Sequence, residues 1–180
     1  MNYEISIKLG NLLLEKDATF IVNTSNTTMI LGSGVSMAFK RHCGLKLQDA
    51  MNTQLKHRGN INQGDVVKTL SYATNFKYAL HCAVMDYNTN AKSKSPTLNT
   101  IKDILNNIDM ELENYFQYFD EKVKIVLPLL GCGVGGLDKK DVIDIYKSHF
   151  SKDINFECEV VIYGYDNEDF EMIQNIMEHQ

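Results

Sequence analysis

The segment Val123–Leu130 reads Val-Lys-Ile-Val-Leu-Pro-Leu-Leu and is almost wholly apolar. Such a strand belongs inside a sheet with both faces covered, because apolar residues on an open face would stay in water. Both faces then need helices, and the chain supplies them in alternation with strands. Tyr3, Ile5, Ile7 and Leu9 recur with period two and predict a half-buried strand. Ala18–Thr24, Asp65–Leu70, Tyr78–Met85 and Glu157–Tyr163 read as further strands. Val35–Cys43, Leu45–Leu55, Pro96–Phe119, Asp138–Phe150 and Glu168–Glu178 carry helical spacing. The fold expected is α/β, a three-layer α/β/α arrangement with a mixed, largely parallel central sheet flanked by helices. With no Pro/Gly/Ser-rich linker and 180 residues, the chain is expected to form a single domain over 1–180. The polar run Asn88–Ser95 reads as one exposed loop.

In such sheets ligands bind beyond the carboxyl ends of the strands. Two glycine clusters follow strands directly, which puts them at the same rim. The first is Gly32-Ser33-Gly34-Val35-Ser36, leading into a helix. A helix start offers unpaired N–H groups and a partial positive charge, a combination suited to phosphate. A simple strand-to-helix turn would also use glycine. The second cluster, Gly131-Cys132-Gly133-Val134-Gly135-Gly136, holds four glycines in six positions. Each glycine costs backbone entropy, and close approach of a ligand to the backbone would offset that cost. Neither loop is a Walker or dinucleotide fingerprint. Two such loops at one rim suggest a diphosphate clamped from both sides.

The formal net charge of −5 gives no global pull on nucleic acid or anionic lipid, so a nucleic-acid partner is not expected. No apolar run approaches spanning length, and Met1–Ile5 lacks the features of a signal peptide, so no membrane partner and a cytoplasmic location are expected. Cys43, Cys82, Cys132 and Cys158 form no CxxC pair and are expected to be reduced, with no metal site and no cofactor.

Five segments, in order, resemble macrodomains. Ile21-Val22-Asn23-Thr24-Ser25-Asn26 resembles that family's (I/V)VNAAN segment, and Met29–Gly44 its first phosphate loop and following helix. Gln63–Thr69 resembles TGEAVVT, Tyr78–Val84 resembles YVIHTVG, and Leu127–Leu137 resembles the second loop. The resemblance runs from about Gly10 to Tyr165. It implies a protein that binds ADP-ribose, or a small molecule or protein carrying it, and hydrolyses ADP-ribosyl adducts such as O-acetyl-ADP-ribose or ADP-ribosylated side chains. Carried over by position, Gly32, Ser33, Gly34, Val35 and Ser36 and Gly131, Cys132, Gly133, Val134, Gly135 and Gly136 would cradle the diphosphate. Asn26 would face the distal ribose and is the candidate catalytic residue. Asn11 and Leu12 would meet the adenine, and Tyr165, with Tyr163 as its rival, would pack on it.

Two departures stand out. Asn11 replaces an aspartate that reads the adenine amino group, and an amide oxygen can still accept that hydrogen bond. Ser36 stands where one hydrolase branch keeps an aspartate, and Gly135 where another does, which removes the obvious general base. The alternative is therefore a non-catalytic ADP-ribose reader, with adenine-rich RNA a third and weaker ligand. His81 reads as a hydrogen-bonded core histidine, Cys132 as a small residue at a turn in preference to an activated thiol, and Asp86-Tyr87 as a solvated strand end in preference to part of the pocket rim.

Overall fold

The computed structural model describes residues 1–32, 35–88 and 94–179. Ser33, Gly34, the side chain of Val35 and residues 89–93 lie outside the described residues. Six strands form one sheet: β1 (Glu4–Leu9), β2 (Ala18–Asn26), β3 (Val66–Leu70), β4 (Phe76–Met85), β5 (Val123–Leu127) and β6 (Cys158–Gly164). Five helices accompany them: α1 (Val35–Cys43), α2 (Leu45–Arg58), α3 (Leu98–Phe119), α4 (Lys139–Phe150) and α5 (Asn167–Glu178). The strand order is β1-β6-β5-β2-β4-β3. Every neighbouring pair is parallel except β3 with β4.

The expected layers are present. On one face, Ile101, Ile104, Leu105 and Ile108 of α3, Val142 and Tyr146 of α4 and Ile173 of α5 pack against Phe20, Val22, Leu80 and Ile125. On the other, Phe39 of α1 and Leu47 and Met51 of α2 pack against Ile21, Ala79, Ala83 and Val126. The apolar strand Val123–Leu127 is interior, with Val123, Ile125, Val126 and Leu127 all buried. It stops before Pro128, because proline brings no N–H to the ladder.

Some details differ from the sequence expectation. The long helix begins at Leu98, not Pro96, because Thr97 caps it in a capping box with Thr100. A short 3-10 turn, Leu12–Leu14, was not signalled by periodicity. The period-two strand β1 is also less buried than its pattern implies. It is an edge strand paired only with β6, so Ile5 and Leu9 are exposed and Ile7 is half-buried against the core.

Because β1, β6, β5, β2 and β4 run the same way, their carboxyl ends share one rim. Along it stand Asn11, Tyr165, the loop after Leu127, the loop after Asn26, and Tyr87.

Candidate functional site

A cleft of about 260 Å³ opens at this rim. Thr24, Ser25 and Asn26 form part of its lining, with Gly32 and Ser36 from the first loop and helix. Pro128, Leu129, Gly131, Gly133, Val134 and Gly135 come from the second loop, and Val84, Met85 and Tyr87 from β4 and its end. The two glycine loops therefore meet at one cavity. Its centre is β2, with β5 on one side and β4 on the other. The parallel pairing of β2 with β4 carries an irregularity between Ser25 and Asn26, where the register jumps from Ala83 to Met85. Such irregularities re-aim side chains next to sites.

The first loop is held by amides. Asn26 Oδ1 accepts from Thr28 N–H at 3.0 Å and from the Thr28 hydroxyl at 2.7 Å, while its Nδ2 donates to Ile30 O at 3.1 Å. Gln48 of α2 completes the clamp, accepting from Leu31 N–H at 2.7 Å and donating to Met29 O at 2.8 Å. The first turn of α1 contains no acidic residue, and Lys40, Arg41 and His42 sit in its last turn. That polarity leaves the amino end of the helix open to an anion.

The second loop is pinned from below. The Tyr146 hydroxyl donates to Pro128 O at 2.6 Å and accepts from Leu130 N–H at 2.9 Å. Its glycines divide by cause. Gly131 has φ +76°, and a Cβ there would lie 2.8 Å from Leu137 and 3.1 Å from Ile101. A Cβ on Gly135 would lie 2.6 Å from Gly131 O and 2.9 Å from Pro96. Gly136 has φ +73°, a left-handed conformation that disfavours a side chain. Backbone conformation and packing, against Ile101 and Pro96 as well as within the loop, account for these three. Gly133 is different: it has no positive φ and nothing within 4 Å of a would-be Cβ, and Gly32 is the same. Both line the cleft.

Ser36 does not present a free hydroxyl hydrogen. It donates to Thr24 O at 2.8 Å, with Asn23 Oδ1 at 3.5 Å. Behind it lies a buried polar chain. Asn23 Nδ2 is 2.9 Å from His81 Nδ1, and His81 Nε2 is 2.8 Å from Thr69 Oγ1. An amide nitrogen only donates, so Nδ1 accepts and Nε2 carries the proton. Thr69 in turn donates to Leu70 O at 2.8 Å. Burial pushes the His81 pKa down to about 3, so the ring is neutral. It is the core histidine expected from the sequence.

Cys132 does not acquire an activated thiol: burial pushes its pKa up to about 11, against a smaller lowering by Lys139. Tyr87 is no mere solvated strand end. It lines the cleft, and its N–H donates to Thr27 Oγ1 at 2.8 Å, tying it to the loop that Asn26 organises. Asn11, Leu12, Cys132, Gly136 and Tyr165 stand on the rim but do not line the cleft. Asn11 Oδ1 already accepts from Leu13 N–H at 3.0 Å, capping the 3-10 turn, and keeps one lone pair. Of the rival tyrosines, Tyr163 is buried with its hydroxyl on Glu15 at 3.2 Å, whereas Tyr165 is 85% exposed. Sequence reasoning missed Gln48 and Tyr146, met Ser25 only as part of a motif, and ranked Tyr87 as a rim contact below a solvated strand end. The turn-forming Thr27-Thr28 pair was the only local hint that the Asn26 loop needs an outside clamp.

Comparison with known proteins shows the family and the fold. The pattern of the Macro domain family matches residues 22–146. The chain belongs to the macro domain family. An Oceanobacillus iheyensis macrodomain solved with ADP superposes with TM-score 0.80 at 16% identity, covering 99% of this chain and 94% of that one. A Trypanosoma brucei macrodomain in complex with ADP-ribose gives TM-score 0.74 at 17% identity, over 96% of this chain and 68% of that one. The macrodomain of Mycobacterium tuberculosis DarG gives 0.71 at 23% identity, over 91% and 99%. At these identities the structural likeness speaks for the fold. No curated protein matches the chain in sequence.

Proposed function

We propose that this macro domain binds ADP-ribose at the rim, with the diphosphate between the two glycine loops. The observation that carries the reading is Gly32 and Gly133. Among the described residues neither packing nor backbone conformation requires glycine at these two positions, and both line the cleft from opposite loops. A ligand brought against the backbone from both sides would explain them. The amino end of α1, with no acidic residue in its first turn, supports the same reading, since it favours an anion without a cationic side chain. In this reading the exposed Tyr165 packs on the adenine, and Asn26 and Tyr87, which line the cleft, face the distal ribose. Macrodomains of similar fold have been solved with ADP, with ADPR and with ADP-ribose. Titration calorimetry with ADP-ribose tests the reading, and absence of binding at about millimolar ligand would refute it.

Hydrolysis of ADP-ribosyl adducts at the distal ribose is the finer proposal. Among the described residues no carboxylate, imidazole or amine lines the cleft. The resemblance to macrodomains implies that a hydrolytic step in such a cleft would use a water held by the ligand's own phosphate, with Asn26 positioning the ribose. Release of ADP-ribose from O-acetyl-ADP-ribose or from an ADP-ribosylated protein is the measurement. Binding without release would leave the reader function, which the engaged Ser36 hydroxyl favours.

A further inference from the structure

Ser25 is 3% exposed, and its hydroxyl oxygen has no hydrogen-bond partner among the described residues. A buried hydroxyl in that state has given up water and gained nothing, so native structures keep few of them. This one lies in a residue that lines the cleft. Strand alternation places it on the same face of β2 as Ile21 and Asn23, the face covered by α1 and α2. On that face Asn23 approaches Ser36 in the first turn of α1. Ser36 has spent its hydrogen on Thr24 O, whereas Ser25 still has one to give. The macrodomain pattern that this segment resembles has alanine at the same place, so the hydroxyl is not needed to form the strand.

We propose that the Ser25 hydroxyl is a further binding contact of the cleft, donating its hydrogen to an anionic phosphate oxygen of the ligand held against the first turn of α1. The proposal rests on the ADP-ribose reading above. Closed to water in the free protein, the hydroxyl meets the phosphate by turning about χ1 toward the cleft, where it forms a charge-assisted hydrogen bond. The test is Ser25→Ala, measured by calorimetry with ADP-ribose, ADP and adenosine, and by urea unfolding without ligand. The free variant should be at least as stable as the wild type, because the orphaned hydroxyl is gone. ADP-ribose and ADP should both bind about tenfold more weakly. Adenosine, which has no phosphate, should bind as it does to the wild type.

Unchanged affinity for both nucleotides would overturn the proposal. So would a variant that loses stability or does not fold, since the hydroxyl would then be bonded within the protein. A loss confined to ADP-ribose would also overturn it, by placing the hydroxyl beyond the diphosphate. In each of these cases the ADP-ribose reading survives. A wild-type protein that binds neither nucleotide would instead defeat that reading, and this proposal with it.

Discussion

At the scale of single residues, glycines that look alike in the sequence carry different duties. Gly135 sits where a Cβ would meet Gly131 O at 2.6 Å, so Gly135→Ala should cost about 1–3 kcal/mol through overpacking. Gly133→Ala meets nothing within 4 Å and asks for no unusual φ, so its stability should change by less than about 1 kcal/mol. The order reverses for ligand: Gly133→Ala should weaken ADP-ribose at least about tenfold by blocking backbone approach. Urea unfolding and calorimetry on the two variants check this, and equal binding by Gly133→Ala and wild type would remove the main support for the cleft. Tyr146→Phe makes a related case. It leaves Pro128 O and Leu130 N–H without their buried partner and should cost about 1–3 kcal/mol in urea unfolding. The density of glycine was legible in the sequence, but the division among them was not. It depends on Pro96 and Ile101, which are distant in sequence and come close only in the fold.

At the scale of elements, the polar chain Asn23–His81–Thr69 links β2, β4 and β3 side by side. Its histidine is held neutral, with a folded pKa near 3 against 6.5 for the free side chain. The unfolded chain therefore binds more protons than the native one between those values. Stability contributed by the neutral ring is complete above pH 6.5 and is lost as pH falls toward 3, at up to about 1.4 kcal/mol per pH unit. The depressed carboxyl of Asp109, held down by His149 and Tyr3 against burial, adds acid sensitivity only below its ordinary value of 3.8. Urea unfolding from pH 7 to pH 5 should thus show a downward slope that His81→Gln flattens. An unchanged slope in that variant would mean that the ring is not buried neutral. The sequence showed His81 as a core residue because it lies within an apolar run. It did not show the partners, since Asn23 and Thr69 reach it only through strand order. Element existence was legible from periodicity. The edge position of β1 was not, because an alternating pattern looks the same whether one or two neighbours flank it.

At the scale of the whole molecule, the parallel strands gather one rim from segments spread between Asn11 and Tyr165. From β6 to β4 that rim spans three strand spacings, about 14 Å. A ligand with a group on each side of a diphosphate is the kind that spans it, with Tyr165 at one end and Tyr87 at the other. Charge plays little part: the chain carries −5 overall, and among the described residues the cleft is lined by no acid, imidazole or amine. That neutrality decides how any turnover should respond to pH. A protein base would give a step or a bell whose midpoint reports its pKa. A water held by the ligand's phosphate has no such midpoint near neutrality. Release of ADP-ribose from O-acetyl-ADP-ribose, corrected for the uncatalysed reaction, should therefore be level between about pH 6.5 and 8. The lower limit keeps clear of the range in which proton uptake at His81 by the unfolded chain lowers the stability of the fold. A clear step within the window would put a titrating protein group at the reacting bond and overturn the route through the ligand's phosphate.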